Sequence, residues 1–254
     1  NQMKEFAGEK AIRINEISFR YDPHSLKKTL DNITFEIPEG KVTAIVGASG
    51  SGKTTLIKLM LGYYPVSEGA IMVSGKNINE YNLKWWRRCC GVVMQDGVIF
   101  SESIARNIAV GDSEVDIARL EQAARIACIH DYILSLPLKY NTKIGRDGVG
   151  LSQGQKQRIL IARAVYKNPV FIFLDEATNS LDAKNEREIV ENLDDFYKGR
   201  TVVVVAHRLS TVKNADQIVV IDSGKVVEKG THTELIEKQG GYFNLVKNQL
   251  ELGN

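Results

Sequence analysis

The sequence has few cysteines, no long apolar run and almost no net charge. Its three cysteines are Cys89, Cys90 and Cys128. Because an odd count that includes an adjacent pair does not suit ordinary disulfides, we expect a reduced compartment. Apolar runs such as 202–206 are far shorter than the ~20 residues needed to cross a bilayer, and no signal-peptide pattern opens the chain. The chain as given is therefore expected to be soluble.

The charge balance gives no sign of a nucleic-acid partner. There are 33 Lys and Arg against 31 Asp and Glu, a formal net charge of +2. The basic aromatic cluster at 84–88 could suggest single-stranded nucleic acid, but no wider basic stripe accompanies it. We therefore favour core and interface packing for this cluster. With 254 residues, 43% of them hydrophobic, the chain can bury a substantial core.

Hydrophobic periodicity divides the chain into three kinds of segment. Alternating residues at 11–19 and 29–37 predict an antiparallel β-subdomain near the N-terminus. Helical periodicity between residues 97 and 167 predicts an inserted α-helical subdomain. Short apolar runs, separated by helical segments, predict the parallel sheet of an α/β protein. These runs are 42–46, 170–174, 201–206 and 217–221, and an amphipathic helix ends the chain.

A glycine-rich loop follows the first buried strand and precedes a helix predicted from Lys53 to about Leu61. Its sequence, GASGSGKT at 47–54, matches the phosphate-binding pattern G-x-x-x-x-G-K-[ST] in the context that the pattern requires. Backbone N–H groups of such a loop surround phosphate oxygens, the lysine reaches the β- and γ-phosphates, and Thr54 can ligate Mg²⁺. The alternative is a turn that only connects strand and helix. The predicted nucleotide contacts are Gly47, Ala48, Ser49, Gly50, Ser51, Gly52, Lys53, Thr54 and Thr55.

Two adjacent acids end the apolar run at 170–174. Successive side chains at a strand tip point in different directions, so Asp175 and Glu176 can have different roles. Asp175 is placed to hold Mg²⁺, directly or through water, and Glu176 to orient and deprotonate an attacking water. The alternative, that the acids only begin a helix, is equally good for the pair alone. The phosphate loop favours the catalytic interpretation.

A third motif, LSQGQ at 151–155, precedes a helix predicted over 156–166. Alone it could be a helix cap at Ser152. In order with the other motifs it resembles the LSGGQ signature of the nucleotide-binding domains of ABC transporters, with Gln153 in place of a glycine. The resemblance implies that two copies dock head to tail. Ser152, Gly154 and Gln155 of each copy would then contact the ATP held by the other.

Further positions match this family in chain order. Tyr21 resembles the aromatic residue that stacks on adenine, and Gln95 the glutamine that contacts Mg²⁺ and the water. The segment 180–182 resembles the loop that crosses the dimer interface, and His207 the histidine that binds the γ-phosphate. Each has a simpler alternative: packing for Tyr21, a solvated loop residue for Gln95, a helix cap at Asp182 and a buried neutral imidazole for His207. The resemblance thus implies the catalytic residues Lys53, Gln95, Glu176 and His207, and the metal ligands Thr54, Gln95 and Asp175.

The resemblance also indicates which kind of ABC protein this is. Residues 100–108 and 206–212 are similar to exporters rather than importers. More narrowly, 82–87, 150–158 and 181–187 are similar to bacterial peptidase-containing exporters of bacteriocins and other leader-bearing peptides. Exporters usually carry a Glu before the signature, in a loop that meets the membrane domain. Arg146 stands there instead, which puts that contact in doubt.

The expected fold is a single domain over 1–254, an α/β P-loop NTPase of RecA-like type. Its parallel-sheet core with the antiparallel β-subdomain would span 1–96 and 168–254, and the helical subdomain with the signature 97–167. The implied cofactors are ATP and Mg²⁺. The implied partners are a second copy, the transmembrane domain of the same full-length exporter and a peptide cargo, at the cytoplasmic face of the inner or plasma membrane.

Two other functions are weighed against export. A soluble ABC ATPase of translation or DNA repair usually joins two ATP domains or inserts a coiled coil, whereas this sequence has one phosphate loop and no heptad run. A module that binds ATP without hydrolysing it would not need Glu176 and His207, which are both intact.

Overall fold

A computed structural model describes residues 2–252. Within them the strands, in chain order, are β1 (Ile12–Phe19), β2 (Leu30–Ile37), β3 (Val42–Val46), β4 (Glu68–Val73), β5 (Lys76–Asn77), β6 (Cys90–Val93), β7 (Phe171–Asp175), β8 (Thr201–Val205), β9 (Gln217–Asp222) and β10 (Lys225–Gly230). The α-helices are α1 (Lys53–Met60), α2 (Leu83–Arg88), α3 (Ile104–Ile108), α4 (Ile117–Ile126), α5 (His130–Ser135), α6 (Gln153–Tyr166), α7 (Ala183–Tyr197), α8 (Leu209–Val212), α9 (His232–Lys238) and α10 (Gly241–Leu252).

The chain forms two compact units. The first comprises 1–87 and 199–254, and the second 88–198. The sequence predicted a different division, into a core at 1–96 and 168–254 and a helical subdomain at 97–167. That division stays a prediction. Across the span 2–252, none of the helices is both long enough and apolar enough to cross a bilayer.

The first unit contains an antiparallel sheet in the order β2-β1-β4-β5. Ile12 pairs with Ile37 and Ile14 with Phe35, so apolar side chains of both strands share one face. Ile12, Ile14 and Ile37 are fully buried. The alternation that predicted this sheet therefore reflects one buried face, and the antiparallel prediction is confirmed.

The same unit contains the parallel strands that carry the glycine-rich loop. Strand β3 lies between β8 and β9, parallel to both, and β10 runs antiparallel along β9. All five residues of β8 are buried, as expected for a strand covered on both faces. The loop at 47–52 therefore leaves the carboxyl end of a central strand, where open α/β sheets bind ligands.

The second unit combines a parallel pair of strands with helices α3 to α7. Strands β6 and β7 pair in parallel, with Val93 opposite Leu174. Helix α6 packs against α3 and α4, and its residues from Ile159 to Tyr166 are largely buried. This arrangement fixes the start of α6 and the end of β7, the two places where the predicted functional residues of this unit lie.

The basic aromatic cluster is part of the core, as favoured from the sequence. Trp86 is fully buried, and its Nε1–H donates to the carbonyl oxygen of Met60 at 2.9 Å. Met60 is the last residue of α1, where carbonyl groups have no partner within the helix. Trp86 therefore ties α2 to the end of the helix that begins at the phosphate loop.

Replacing Trp86 with Phe is expected to lower the free energy of unfolding by about 1–3 kcal/mol, because a buried carbonyl loses its donor. Urea denaturation of the purified chain measures this loss. Trp85→Phe, on the same helix but partly exposed, is the matched control and should destabilise the chain less. Equal losses for the two variants would contradict this assignment.

Candidate functional site

The glycine-rich loop has the backbone shape of a phosphate cradle. A Cβ at Gly47 would overlap the carbonyl oxygen of Ile221, so only glycine fits this position. Gly52 caps α1 with φ +108°, and a Cβ there would lie 2.6 Å from Leu30 Cδ2. The glycines therefore allow a tight turn that aims N–H groups from the start of α1 into the loop.

Lys53 is buried at the first position of α1. Its side chain is 5% exposed, and Nζ donates to the carbonyl oxygens of Gly47 at 2.9 Å and Ala48 at 2.8 Å. Thr55 lies two residues further, and its Oγ1 is 2.9 Å from the hydroxyl of Tyr21. The structure thus brings the ammonium group into the loop, and brings Tyr21 against the same helix.

A cavity of about 550 Å³ lies beside the loop in the first unit. This volume is within the range of small-molecule sites. Tyr21 borders it with 51% of its surface exposed, and its ring packs edge-on against Phe19 and Tyr64, with centroids 5.0 and 5.4 Å away. Residues of the loop and of two other segments complete the lining: Asp22, Ser25, Lys27 to Thr29, Ala48 to Ser51, and Asp222 to Gly224.

His207 follows β8 and lies near the start of the loop. It lines a smaller cavity together with Gly47 and Tyr242, the latter from α10. The imidazole is half-buried. Within the first unit, Tyr21, the loop, Lys53 and His207 are therefore grouped around one end of β3.

The two acids of the second unit differ in exposure and backbone conformation. Asp175, the last residue of β7, is fully buried, whereas Glu176 is half-buried. The φ angle of Glu176 is +54°, in the left-handed region that non-glycine residues rarely adopt. Its Oε2 accepts a hydrogen bond from Asn179 Nδ2 at 2.7 Å. The two carboxylates thus have different surroundings, and their separate roles stay a prediction.

Helix α6 begins within the signature rather than after it. The sequence predicted a start at residue 156, but the helix begins at Gln153. Ser152 Oγ accepts from Gln155 N at 3.1 Å, and Gln155 Oε1 accepts from Ser152 N at 2.9 Å. This capping box satisfies two free N–H groups and extends the helix by one turn. Ser152 is therefore a helix cap, and Gly154 and Gln155 lie in the first turn.

Three other predicted residues lie in loops or at a helix end of the second unit. Asp182 caps α7, in agreement with the simpler alternative given for this residue. Its pKa is lowered, because its carboxylate accepts hydrogen bonds from the backbone and the side chain of Asn185. Gln95 follows β6 and is exposed. Arg146 is exposed in the loop before the signature.

Sequence reasoning missed Gln157, which is 8% exposed. It sits on α6 and hydrogen-bonds both the carbonyl of Glu176 and the backbone N–H of Ser180. The sequence did contain a signal for this residue. Gln157 is a polar amide one helical turn after Gly154, and it comes just before a run of buried apolar residues.

Cysteine chemistry does not contribute to this site. Burial raises the pKa of the Cys89 thiol, and raises that of Cys128 to about 11. Both thiols are protonated at neutral pH and are therefore poor nucleophiles.

A strand, a glycine-rich loop and a helix that begins with a buried lysine define a nucleotide-binding protein of the P-loop class. The family model described as ABC transporter matches residues 30–179. This chain belongs to the ABC transporter family, and its fold is that of the family's ATPase domain.

Individual relatives and one solved structure agree with this assignment. The chain is 42% identical over 248 residues to an ATP-dependent lipid A-core flippase of Saccharophagus degradans, covering 98% of this chain and 42% of the flippase. It is 44% identical over 241 residues to the leukotoxin translocation ATP-binding protein LktB of Mannheimia haemolytica, covering 95% of this chain and 34% of that protein. A solved structure of a bacterial Atm1-family ABC exporter with ATP bound matches with a TM-score of 0.94 and 35% identity, over 98% of this chain and 44% of that one. The chain thus spans less than half the length of these relatives.

Proposed function

We propose that this chain is the ATP-hydrolysing motor of an exporter, and that it drives a cargo through an associated transmembrane domain. The observation that carries the proposal is the phosphate loop, in which Lys53 lies buried against the carbonyls of Gly47 and Ala48. A buried ammonium group surrounded by loop backbone suits the β- and γ-phosphates of a nucleoside triphosphate.

The donor groups present fit ATP and Mg²⁺. Thr54 and Asp175 offer hydroxyl and carboxylate oxygens, and Gln95 an amide oxygen, which are the hard ligands that Mg²⁺ prefers. Bound Mg²⁺ would supply charge neutralisation at the phosphates. Tyr21 borders the cavity beside the loop with an exposed ring, which supports stacking on the adenine base.

The hydrolytic roles fall on three side chains. Glu176 would accept a proton from the attacking water, Gln95 would orient that water, and His207 would donate a hydrogen bond to the γ-phosphate. The different exposure of Asp175 and Glu176, together with the left-handed backbone at Glu176, supports separate roles in metal binding and proton transfer.

A second copy of the chain completes the site in this proposal. Ser152 is exposed at the N-terminus of the fourteen-residue helix α6, where a partial positive charge favours phosphate. The capping box leaves Ser152 Oγ able to donate its own hydrogen, and Gly154 places backbone close to the surface. These groups would cap the ATP held by the other copy, so each site needs two copies.

ATP with Mg²⁺ is expected to convert the Glu176→Gln variant from monomer to dimer, because hydrolysis no longer separates the copies. Size-exclusion chromatography with light scattering measures the mass. Adding Ser152→Glu to that variant places a carboxylate where the phosphate would lie and should keep the chain monomeric. A monomer for Glu176→Gln at high concentration with saturating ATP would count against the shared site.

The remaining proposals concern the whole exporter. We infer a peptide cargo, a transmembrane partner in the same full-length protein and a location at the cytoplasmic face of the membrane. The similarity to the flippase and to LktB supports export in general. Arg146, in an exposed loop, would contact that transmembrane domain with a charge opposite to the usual glutamate, which favours an acidic partner residue.

A further inference from the structure

One buried amide joins the signature helix to the residue proposed as the base. Gln157 lies in α6, and its Nε2 donates to the carbonyl oxygen of Glu176 at 3.2 Å. Its Oε1 accepts from the backbone N–H of Ser180 at 3.1 Å. Because the side chain is 8% exposed, water cannot readily replace either partner. The amide therefore fixes the positions of residues 176 and 180 relative to α6.

The backbone at Glu176 needs such a support. A left-handed φ of +54° is strained in a non-glycine residue and persists only where neighbouring groups hold it. The carbonyl of Glu176 accepts a second hydrogen bond from Asn179 N at 3.3 Å. Gln157 contributes the donor that comes from outside this turn, and so links the turn to a rigid helix.

The start of α6 packs closely against the same segment. A Cβ on Gly154 would lie 3.2 Å from the carbonyl oxygen of Ser180 and 3.6 Å from Leu181 Cδ2. The signature, Gln157 and residues 176–181 thus form one packed piece of the second unit. A change at Gln157 should therefore alter the direction of the Glu176 side chain.

We propose that Gln157 is a positioning residue, which holds the peptide of Glu176 so that its carboxylate points toward the attacking water. This inference rests on the proposed role of Glu176 in hydrolysis. In this role Gln157 acts through its two hydrogen bonds, to Glu176 and Ser180, rather than on the reacting atoms.

Two variants separate the two hydrogen bonds. Gln157→Glu keeps an acceptor for Ser180 N–H but turns a carboxylate oxygen toward the Glu176 carbonyl, whereas Gln157→Met removes both bonds with little change in length. We expect kcat for ATP hydrolysis to fall by about 10- to 100-fold in both, because a small misplacement of a catalytic group has effects of this size. The KM for ATP should change by less than about threefold, since the groups that bind ATP equally in the ground state and the transition state are unchanged.

A matched control and a double variant make the test specific. Gln122→Met changes an exposed glutamine on α4 in the same unit and should leave kcat unchanged. In the Glu176→Gln background, where no base remains to be positioned, Gln157→Met should alter the residual rate by less than about twofold. If urea denaturation shows that Gln157→Met is poorly folded, the comparison with wild type is made with Gln157→Glu.

The outcomes are distinct from those that test the proposed function. Wild-type kcat in the folded Gln157 variants, or a tenfold further loss in the Glu176→Gln background, overturns the positioning role. If Glu176→Gln itself hydrolyses ATP at the wild-type rate, the assignment of the base fails instead.

Discussion

Replacing Glu176 with Gln is expected to reduce ATP hydrolysis by about 10²- to 10⁴-fold, the usual contribution of a general base. The variant has nearly the same size and keeps an oxygen that can accept from Asn179 Nδ2, so the local hydrogen bond survives. The affinity for ATP should be retained, because the substitution leaves the residues of the phosphate loop, 47–54, unchanged. A steady-state phosphate-release assay measures the rate, and a fluorescent ATP analogue measures binding.

The matched control for this variant is Glu191→Gln. It makes the same chemical change on the exposed side of α7 and should hydrolyse ATP at the wild-type rate. Equal rates for wild type and Glu176→Gln would remove Glu176 from the mechanism. That result would favour a module in which ATP binding alone performs the work.

Lys53→Met is expected to impair both binding and hydrolysis. A charged hydrogen bond to phosphate contributes about 1.5–3 kcal/mol, so ATP affinity should fall roughly 10- to 100-fold. The rate at saturation should fall by about 10²- to 10³-fold, because a donor to the developing charge is lost. Methionine fills much of the buried space of the lysine stem, which limits damage to the loop. Calorimetric titration with ATP and the same hydrolysis assay measure the two losses.

Lys58→Met is the control for a change of charge on the same helix. Lys58 lies in the last turn of α1, away from the loop, and only a small loss of stability is expected from its interaction with the helix dipole. Wild-type affinity in Lys53→Met would contradict the assignment of the loop as a phosphate cradle. Comparison with Glu176→Gln separates the roles, since only the lysine variant should lose affinity.

The elements that the sequence predicted best are those with strong periodicity. The alternation at 11–19 and 29–37 predicted β1 and β2, and the apolar runs predicted β3, β7, β8 and β9 within a few residues. The edge strands β5 and β10 were not predicted, because their side chains alternate little or are largely exposed.

Local chemistry explains the one helix boundary that was wrong. Gly154 has weak helix preference, so the periodic pattern seemed to begin only at residue 156. The capping box of Ser152 and Gln155 outweighs this preference because it satisfies two N–H groups at the helix start. The signal was in the sequence, as a Ser followed three residues later by a Gln.

The sequence by itself determined the family and the candidate chemistry, because a phosphate loop, a paired acid and a signature each need particular residues at fixed spacing. Only the tertiary structure decided how Lys53 is enclosed by loop carbonyls, that Glu176 adopts a left-handed backbone, and that Gln157 holds it. These properties depend on how groups pack; the hydrogen bond between Gln157 and Glu176, for example, joins residues 19 positions apart in the chain. Spacing along a sequence cannot encode them, since burial and hydrogen-bond direction arise only when strands and helices pack.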